Sequence, residues 1–148
     1  MQNDFIHILL ADDDEDDRMF FKDAFEEIKL KTKVSTVKDG IELIKYLSRP
    51  NIILPHLLFL DLNMPLKNGM ECLKEIKSID KFKEIAIAIY STSASEEDIE
   101  HTFVNGANVY IKKPSNFETL KKILSEVITI NWQYQTSGLN RDNFLLSL

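Results

Sequence analysis

The sequence predicts a doubly wound α/β domain built on a five-stranded parallel sheet. Five short apolar runs alternate with five segments whose apolar residues recur at helical spacing, which is typical of repeated strand–helix units. The runs are apolar almost throughout, which indicates strands covered by helices on both faces of the sheet. A helix that follows each strand allows the next strand to run parallel to it, and such crossover connections are right-handed. A chain of 148 residues with 44% hydrophobic content can bury one core of this kind.

The first two strand–helix units lie before residue 50. Residues 6–11 form an apolar run with β-branched members and predict the first strand, and the helical spacing that follows reaches Ile28. Residues 34–37 predict a brief second strand. A turn at residues 39–40 opens the second helix, which Pro50 ends because proline lacks the amide hydrogen that a helix interior needs.

The later units are equally short and regular. The remaining predicted strands are residues 57–60, 85–90 and 109–111. Residues 95–98 and 115–118 each begin with Ser and carry an acid at the fourth position. This pattern is typical of a capping box, so we expect the fourth and fifth helices to begin there.

We predict one domain over residues 5–130 and a C-terminal tail over residues 131–148, because the apolar periodicity lapses after residue 130. The tail is rich in large apolar side chains. These are Trp132, Tyr134, Phe144, Leu145 and Leu146. Such residues are poorly suited to a solvated segment, so the tail either folds back onto the domain or contacts another chain. A homodimer is one form of the second alternative.

The bulk properties exclude several classes of function. The net charge of −6 argues against direct binding of nucleic acid, since that affinity comes mainly from clustered Lys and Arg. The longest apolar run, residues 52–62, is shorter than the roughly 20 residues that span a bilayer. Residues 1–4 show no secretion signal, and a single cysteine, Cys72, agrees with a reducing compartment. We therefore expect a cytoplasmic protein that does not contact the membrane.

Polar side chains follow four of the five predicted strands. Asp12 and Asp13 come after the first strand, Asp61 after the third, Ser91 closes the fourth, and Lys113 follows the fifth. In an open α/β sheet, ligands bind beyond the carboxyl ends of the strands. We therefore expect these residues to meet at one edge of the sheet.

Carboxylates held this close together require a cation. Oxygen ligands suit Mg²⁺, which usually takes one or two carboxylates and keeps several waters. We expect Asp13, Asp61 and the backbone carbonyl of Asn63 to be direct ligands, and Asp12 to act through water. Neither His nor Cys residues have the spacing of a transition-metal site.

The same edge of the sheet has the groups needed for phosphoryl transfer. A carboxylate whose charge is screened by a metal can attack phosphorus, and Asp61 is predicted to be that nucleophile. Lys113 and the Ser91 hydroxyl would hold the remaining phosphoryl oxygens, since positioning and charge stabilisation dominate this chemistry.

These residues together resemble the receiver domain of bacterial two-component response regulators, in its single-domain form. The motifs occur in the order that this family uses. They are the acidic pair after the first strand, residues 60–65 with Gly69, Ser91 at the end of the fourth strand, and Lys113 followed by Pro114. The resemblance covers residues 5–130.

The resemblance implies a flavodoxin-like receiver fold with strand order 2-1-3-4-5. It also implies that a sensor histidine kinase or a phosphotransfer protein donates the phosphoryl group to Asp61. On phosphorylation Ser91 would move toward the new group, Tyr110 would turn inward, and a downstream protein partner would read the change. The expected protein is a switch rather than an enzyme, and it acts without a DNA-binding output domain.

Two other functions remain open on the sequence. A pseudo-receiver would bind its partners without accepting a phosphoryl group. A Mg²⁺-dependent phosphohydrolase with an aspartyl nucleophile usually has a second aspartate two residues later as general acid, where this chain has Asn63.

Some charged residues near these motifs are expected to be merely solvated. Glu15, Asp16 and Asp17 belong to the predicted first turn of the first helix, where acids interact favourably with the helix dipole. Lys112 is expected at the surface, next to the functional Lys113.

Overall fold

A computed structural model describes residues 5–134 and 145–146. The strands are β1 (Ile6–Ala11), β2 (Thr32–Val37), β3 (Leu57–Leu60), β4 (Ala86–Ser91), β5 (Val109–Lys112) and β6 (Leu145–Leu146). The helices are α1 (Glu15–Glu27), α2 (Gly40–Leu47), α3 (Gly69–Ser78), α4 (Glu96–Val104) and α5 (Phe117–Tyr134). A 3-10 turn over Asp80–Phe82 lies between α3 and β4.

The strands form one sheet in the order β2-β1-β3-β4-β5-β6, and every neighbouring pair is parallel. The predicted doubly wound α/β class and the order 2-1-3-4-5 are therefore confirmed. The short strand β6 adds a sixth position, because Leu145 and Leu146 pair with Tyr110 and Ile111 of β5. At these two residues the tail folds back onto its own chain, whereas Phe144 lies outside the described residues.

Helices cover both faces of the sheet, as the continuous apolar strands predict. Side chains alternate between the faces, so successive residues of β1 enter different cores. Leu9 packs with the buried residues of α2, α3 and α4, while Leu10 packs with those of α1 and α5. On the second face, Phe21 of α1 makes edge contacts with Phe59 and Tyr90 of the sheet. The two cores fix the strand ends, and with them the residues that follow each strand.

The start of α5 differs from the sequence prediction, and its end lies within the segment that the sequence analysis assigns to the tail. Its N-terminus is capped by Asn116, whose Oδ1 accepts a hydrogen bond of 3.0 Å from the Thr119 amide, and the predicted capping box beginning at Ser115 is wrong. The helix also continues to Tyr134, past the expected boundary at residue 130. Each residue added to an existing helix gains a backbone hydrogen bond without a new nucleation cost, so helicity outlasts the apolar pattern. In the described part of the chain, neither α5 nor a shorter helix has the length and hydropathy to cross a membrane.

Candidate functional site

Backbone pairing in the middle of the sheet brings the two central acids together. Ala11 and Leu60 are paired across β1 and β3, so the next residues, Asp12 and Asp61, leave the sheet side by side. The Asp61 amide donates to the Ala11 carbonyl at 3.0 Å, and the Asp12 amide donates to the Val37 carbonyl at 3.1 Å. The positions of both carboxylates are therefore set by the sheet rather than by a mobile loop.

Three acids form a cluster that could hold a metal ion. Asp12 and Asp61 are buried and Asp13 is exposed, and one carboxylate oxygen from each lies within 4.8 Å of the others. Oδ1 of Asp12 accepts from the Asp14 amide at 3.0 Å. Oδ2 of Asp12 is buried and lies 2.8 Å from Lys113 Nζ, an ion pair that, among the described residues, leaves it without a partner in hydrogen-bond geometry. A buried carboxylate oxygen of this kind, facing two further carboxylates, fits a hard divalent cation such as Mg²⁺.

The electrostatics of the cluster favour a bound cation. Burial raises the pKa of Asp61 to about 6, and the neighbouring Asp12 carboxylate adds to this rise while Lys113 opposes it. Burial also raises the pKa of Asp12. Both shifts arise chiefly because burial removes the hydration of the charged carboxylate, and repulsion from Asp12 adds to the shift of Asp61 as repulsion from Asp17 adds to that of Asp12. A positive ion at the site would relieve both penalties.

Lys113 is the main positive group of the site. Its Nζ lies 2.8 Å from Asp12 Oδ2, 2.8 Å from Asp17 Oδ2 and 3.4 Å from Asp61 Oδ2. Its side chain is only 9% exposed. Burial alone would lower the pKa of Lys113, but the carboxylates of Asp12 and Asp17 outweigh burial and raise it. Lys112 is exposed, as expected for a surface lysine.

Asp17 is the member of this arrangement that sequence reasoning missed. It was expected to be a solvated residue of the first turn, like Asp16. Its side chain is instead 36% exposed and bonded to Lys113. No local signal in the sequence separates Asp17 from Asp16, because the contact depends on how α1 packs beside the end of β5.

Ser91 ends β4, the strand next to the one that Asp61 follows, and Tyr110 lies in the neighbouring β5. Ser91 is fully buried, and its Oγ accepts a hydrogen bond of 3.1 Å from the Ser93 amide. Tyr110 is also fully buried, and its hydroxyl donates to the Ser93 carbonyl at 2.7 Å. Both side chains therefore contact the same residue of the β4–α4 loop. The tyrosine already has the inward orientation that the family resemblance associates with the switched state.

The loop between β3 and α3 completes the site. The Asn63 amide donates to Asp61 Oδ1 at 3.2 Å, and the Asn63 side chain is exposed. Gly69 begins α3, and its amide donates to the Leu62 carbonyl at 3.0 Å. A Cβ at Gly69 would lie 2.1 Å from the carbonyl oxygen of Asp61. Glycine is therefore required here so that the helix can approach the backbone of the central acid.

The fold, the acidic cluster and the buried lysine define a class of signalling domain. The sequence model of the response regulator receiver domain matches residues 8–125 of the chain. The chain therefore belongs to the receiver domain family of two-component response regulators, and the resemblance stated from the motifs is confirmed.

Among individual proteins, the chain is similar to several response regulators. It is 31% identical to the probable methanogenesis regulatory protein FilR2 of Methanothrix harundinacea, over 81% of this chain and 79% of that protein. It is 28% identical to the response regulator Rcp1 of Synechocystis, over 81% of this chain and 84% of that protein.

Solved structures show the same likeness. The phosphorylated cyanobacterial phytochrome response regulator RcpA superposes with a TM-score of 0.76 and 34% identity, covering 91% of this chain and 97% of that one. The Mn²⁺-bound form of Rcp1 superposes with a TM-score of 0.75 and 27% identity, covering 90% of this chain and 98% of that one.

Proposed function

We propose that this receiver domain accepts a phosphoryl group on Asp61, with Mg²⁺ bound, from the phosphohistidine of a sensor histidine kinase or a phosphotransfer protein. The observation that carries the proposal is the surroundings of Asp61. It is a buried carboxylate with a raised pKa, next to two further acids and one buried lysine. Two similar structures, the phosphorylated RcpA and the Mn²⁺-bound Rcp1, support both parts of the proposal.

Asp13, Asp61 and the Asn63 backbone carbonyl would bind the metal directly, with Asp12 reaching it through water. The metal would supply positive charge that screens the attacking carboxylate from the phosphoryl oxygens. A carboxylate oxygen of Asp61 forms the new bond to phosphorus, and the bond from phosphorus to the imidazole nitrogen breaks. Lys113 and the Ser91 hydroxyl hold phosphoryl oxygens as the group is transferred.

Phosphorylation of Asp61 would be transmitted as a change of conformation. A phosphoryl group adds negative charge beside Lys113 and Ser91, and Ser91 shares the β4–α4 loop residue Ser93 with Tyr110. The new charge therefore shifts the conformation of the β4–α4 loop and of Tyr110 together. A downstream protein partner binds the surface that this shift changes. In this proposal the protein works in the cytoplasm as a switch and does not turn over a metabolite.

The test is phosphorylation with a small donor. The protein is incubated with Mg²⁺ and acetyl phosphate, and intact mass spectrometry counts the phosphoryl groups per chain. We expect one group on the wild type, none on Asp61→Asn, and none on the wild type when a chelator removes the metal. Asp80→Asn, which changes an acid of the 3-10 turn outside the cluster, is the matched control and should be labelled normally.

The same experiment separates the alternatives. Labelling that persists on Asp61→Asn would overturn the assignment of the acceptor. A wild type that binds Mg²⁺ but takes no phosphoryl group would be a pseudo-receiver. Continuous hydrolysis of a small phosphate ester would indicate the phosphohydrolase.

A further inference from the structure

Lys113 divides its positive charge among three carboxylates. An ammonium group has three N–H donors, and the nearest oxygens belong to Asp12, Asp17 and Asp61. The distance from Nζ is 2.8 Å to Asp12 and to Asp17, and 3.4 Å to Asp61. The lysine is therefore held more closely by Asp17 than by the proposed phosphoryl acceptor.

Asp17 differs from the other two partners in its position. Asp12 and Asp61 follow central strands, whereas Asp17 lies in the first turn of α1. Its backbone amide donates to the side chain of the cap residue Asp14 at 3.2 Å, so its place in the helix is well defined. Its carboxylate is 36% exposed and thus keeps part of its hydration, while the Nζ that it contacts belongs to a side chain that is 9% exposed.

We propose that Asp17 is a positioning residue that restrains phosphorylation of Asp61 by holding the Lys113 ammonium and lowering the positive charge available to the incoming phosphoryl group. This inference rests on the function proposed above and adds a residue to that site. The bond to Asp17 need not break during transfer, since Lys113 can exchange its Asp61 contact for a phosphoryl oxygen. Asp17 then adds a negative charge near the dianion that is formed.

The charge of Asp17 has opposite effects on cations and anions. It makes the site more negative, which favours a divalent cation and disfavours an anionic phosphoryl donor. For unit charges roughly 6 Å apart at an effective dielectric constant of about 20 to 40, such an effect lies between about tenfold and about a hundredfold in a rate or an affinity. Partial exposure reduces it, so we expect roughly three- to tenfold.

The experiment compares Asp17→Asn with Asp16→Asn. Both variants remove one acid from the first turn of α1, so they change the net charge and the interaction with the helix dipole equally. Asp16 is exposed, and of these two residues it is Asp17 that contacts Lys113. We expect Asp17→Asn to bind Mg²⁺ several-fold more weakly than Asp16→Asn, measured by calorimetry. At saturating Mg²⁺, we expect Asp17→Asn to be phosphorylated by acetyl phosphate several-fold faster than Asp16→Asn.

This pair of opposite shifts distinguishes the proposal from a structural role, because a distorted site would bind Mg²⁺ more weakly and also react more slowly. A second comparison uses Lys113→Gln as the background. Once the lysine is absent, the ion pair no longer holds the Asp17 carboxylate toward the site, so Asp17→Asn should weaken Mg²⁺ binding less than it does in the wild-type background. Raising the salt concentration should shrink the difference between the two variants in the wild-type background.

Two results would overturn the inference: equal behaviour of Asp17→Asn and Asp16→Asn in both measurements, or slower phosphorylation of Asp17→Asn. The second would mean that Asp17 orients Lys113 productively. Failure of the proposed function looks different, since the wild type itself would then take no phosphoryl group. The Mg²⁺ comparison tests the role of Asp17 even in that case.

Discussion

At the scale of single residues, the central carboxylate is held in surroundings that disfavour its charged form. Asp61 is 5% exposed and lies beside the fully buried Asp12, and it shares the Lys113 ammonium with Asp12 and Asp17. The negative charge of Asp61, the proposed nucleophile, therefore destabilises the folded chain when no metal is bound. The site therefore keeps an acidic cluster at the expense of stability.

We predict that Asp61→Asn raises the free energy of unfolding at pH 8 without divalent cations by on the order of 1–3 kcal/mol. The pKa of Asp61 is about 6 in the folded chain and 3.8 as its usual value. The ionised residue therefore destabilises the fold fully above pH 6, and this effect disappears as the pH falls toward 3.8. Urea denaturation at pH 8 and at pH 4.5 measures the difference.

Two controls accompany the Asp61→Asn measurement. Asp13→Asn removes the exposed member of the cluster and should change stability less. Added Mg²⁺ should stabilise the wild type and not Asp61→Asn, since a ligand stabilises only the form that binds it. Equal stability of the wild type and Asp61→Asn at pH 8 would contradict the raised pKa.

At the scale of secondary-structure elements, helix N-termini are placed against the carboxyl ends of the strands. The side chain of Asp14 accepts from the Asp16 and Asp17 amides and begins α1 directly after the acidic pair. Asn68 and Glu71 form a reciprocal capping box that begins α3 at the backbone of Asp61. These caps hold the helix starts in register with the acids.

We predict that Gly69→Ala destabilises the fold and lowers the labelling of Asp61. Helix propensity alone would favour alanine by up to about 1 kcal/mol. The new Cβ would lie 2.1 Å from the Asp61 carbonyl oxygen, so either α3 or the backbone of Asp61 must shift. Thermal unfolding and acetyl phosphate labelling measure both effects. Asn68→Ala, which removes only the cap, should lower stability without a comparable loss of labelling, and a stabilised Gly69→Ala would refute the steric argument.

The cap of α5 allows a second prediction about a helix start. Asn116→Ala should lower the free energy of unfolding by about 1 kcal/mol, because it removes the acceptor for the Thr119 amide. Ser115 precedes it and is also exposed, so Ser115→Ala is the matched control and should have little effect. Urea denaturation compares the two. A larger loss of stability in Ser115→Ala than in Asn116→Ala would support the capping box that the sequence predicts.

At the scale of the whole molecule, the sheet extends into the C-terminal tail. Strand β6 pairs with β5, which would otherwise be the edge of the described sheet. At Leu145 and Leu146 the backbone pairs with a strand of the same chain. A homodimer remains a proposal that is based on the apolar composition of the tail.

We predict that ending the chain after Tyr134 increases self-association, because the loss of β6 leaves β5 as an open edge. Light scattering of the full and shortened chains, with and without beryllofluoride, measures the molecular mass. A full chain that is dimeric and a shortened chain that is monomeric would show instead that the tail joins two molecules. Monomers under all four conditions would refute both the edge argument and the homodimer.

The local pattern of the sequence was enough to predict the fold class, the strand ends and the acids and lysine that follow them. Strand and helix periodicity extends over a few residues, and parallel strands bring their carboxyl ends to one edge whatever the packing details. The tertiary structure alone decided that Asp17 binds Lys113, that Asn116 caps α5, and that β6 joins the sheet. Two of these, the lysine contact and the sixth strand, join segments far apart in the chain, and the cap depends on where packing starts α5. Local spacing cannot encode such geometry, because it depends on how whole helices and strands settle against one another.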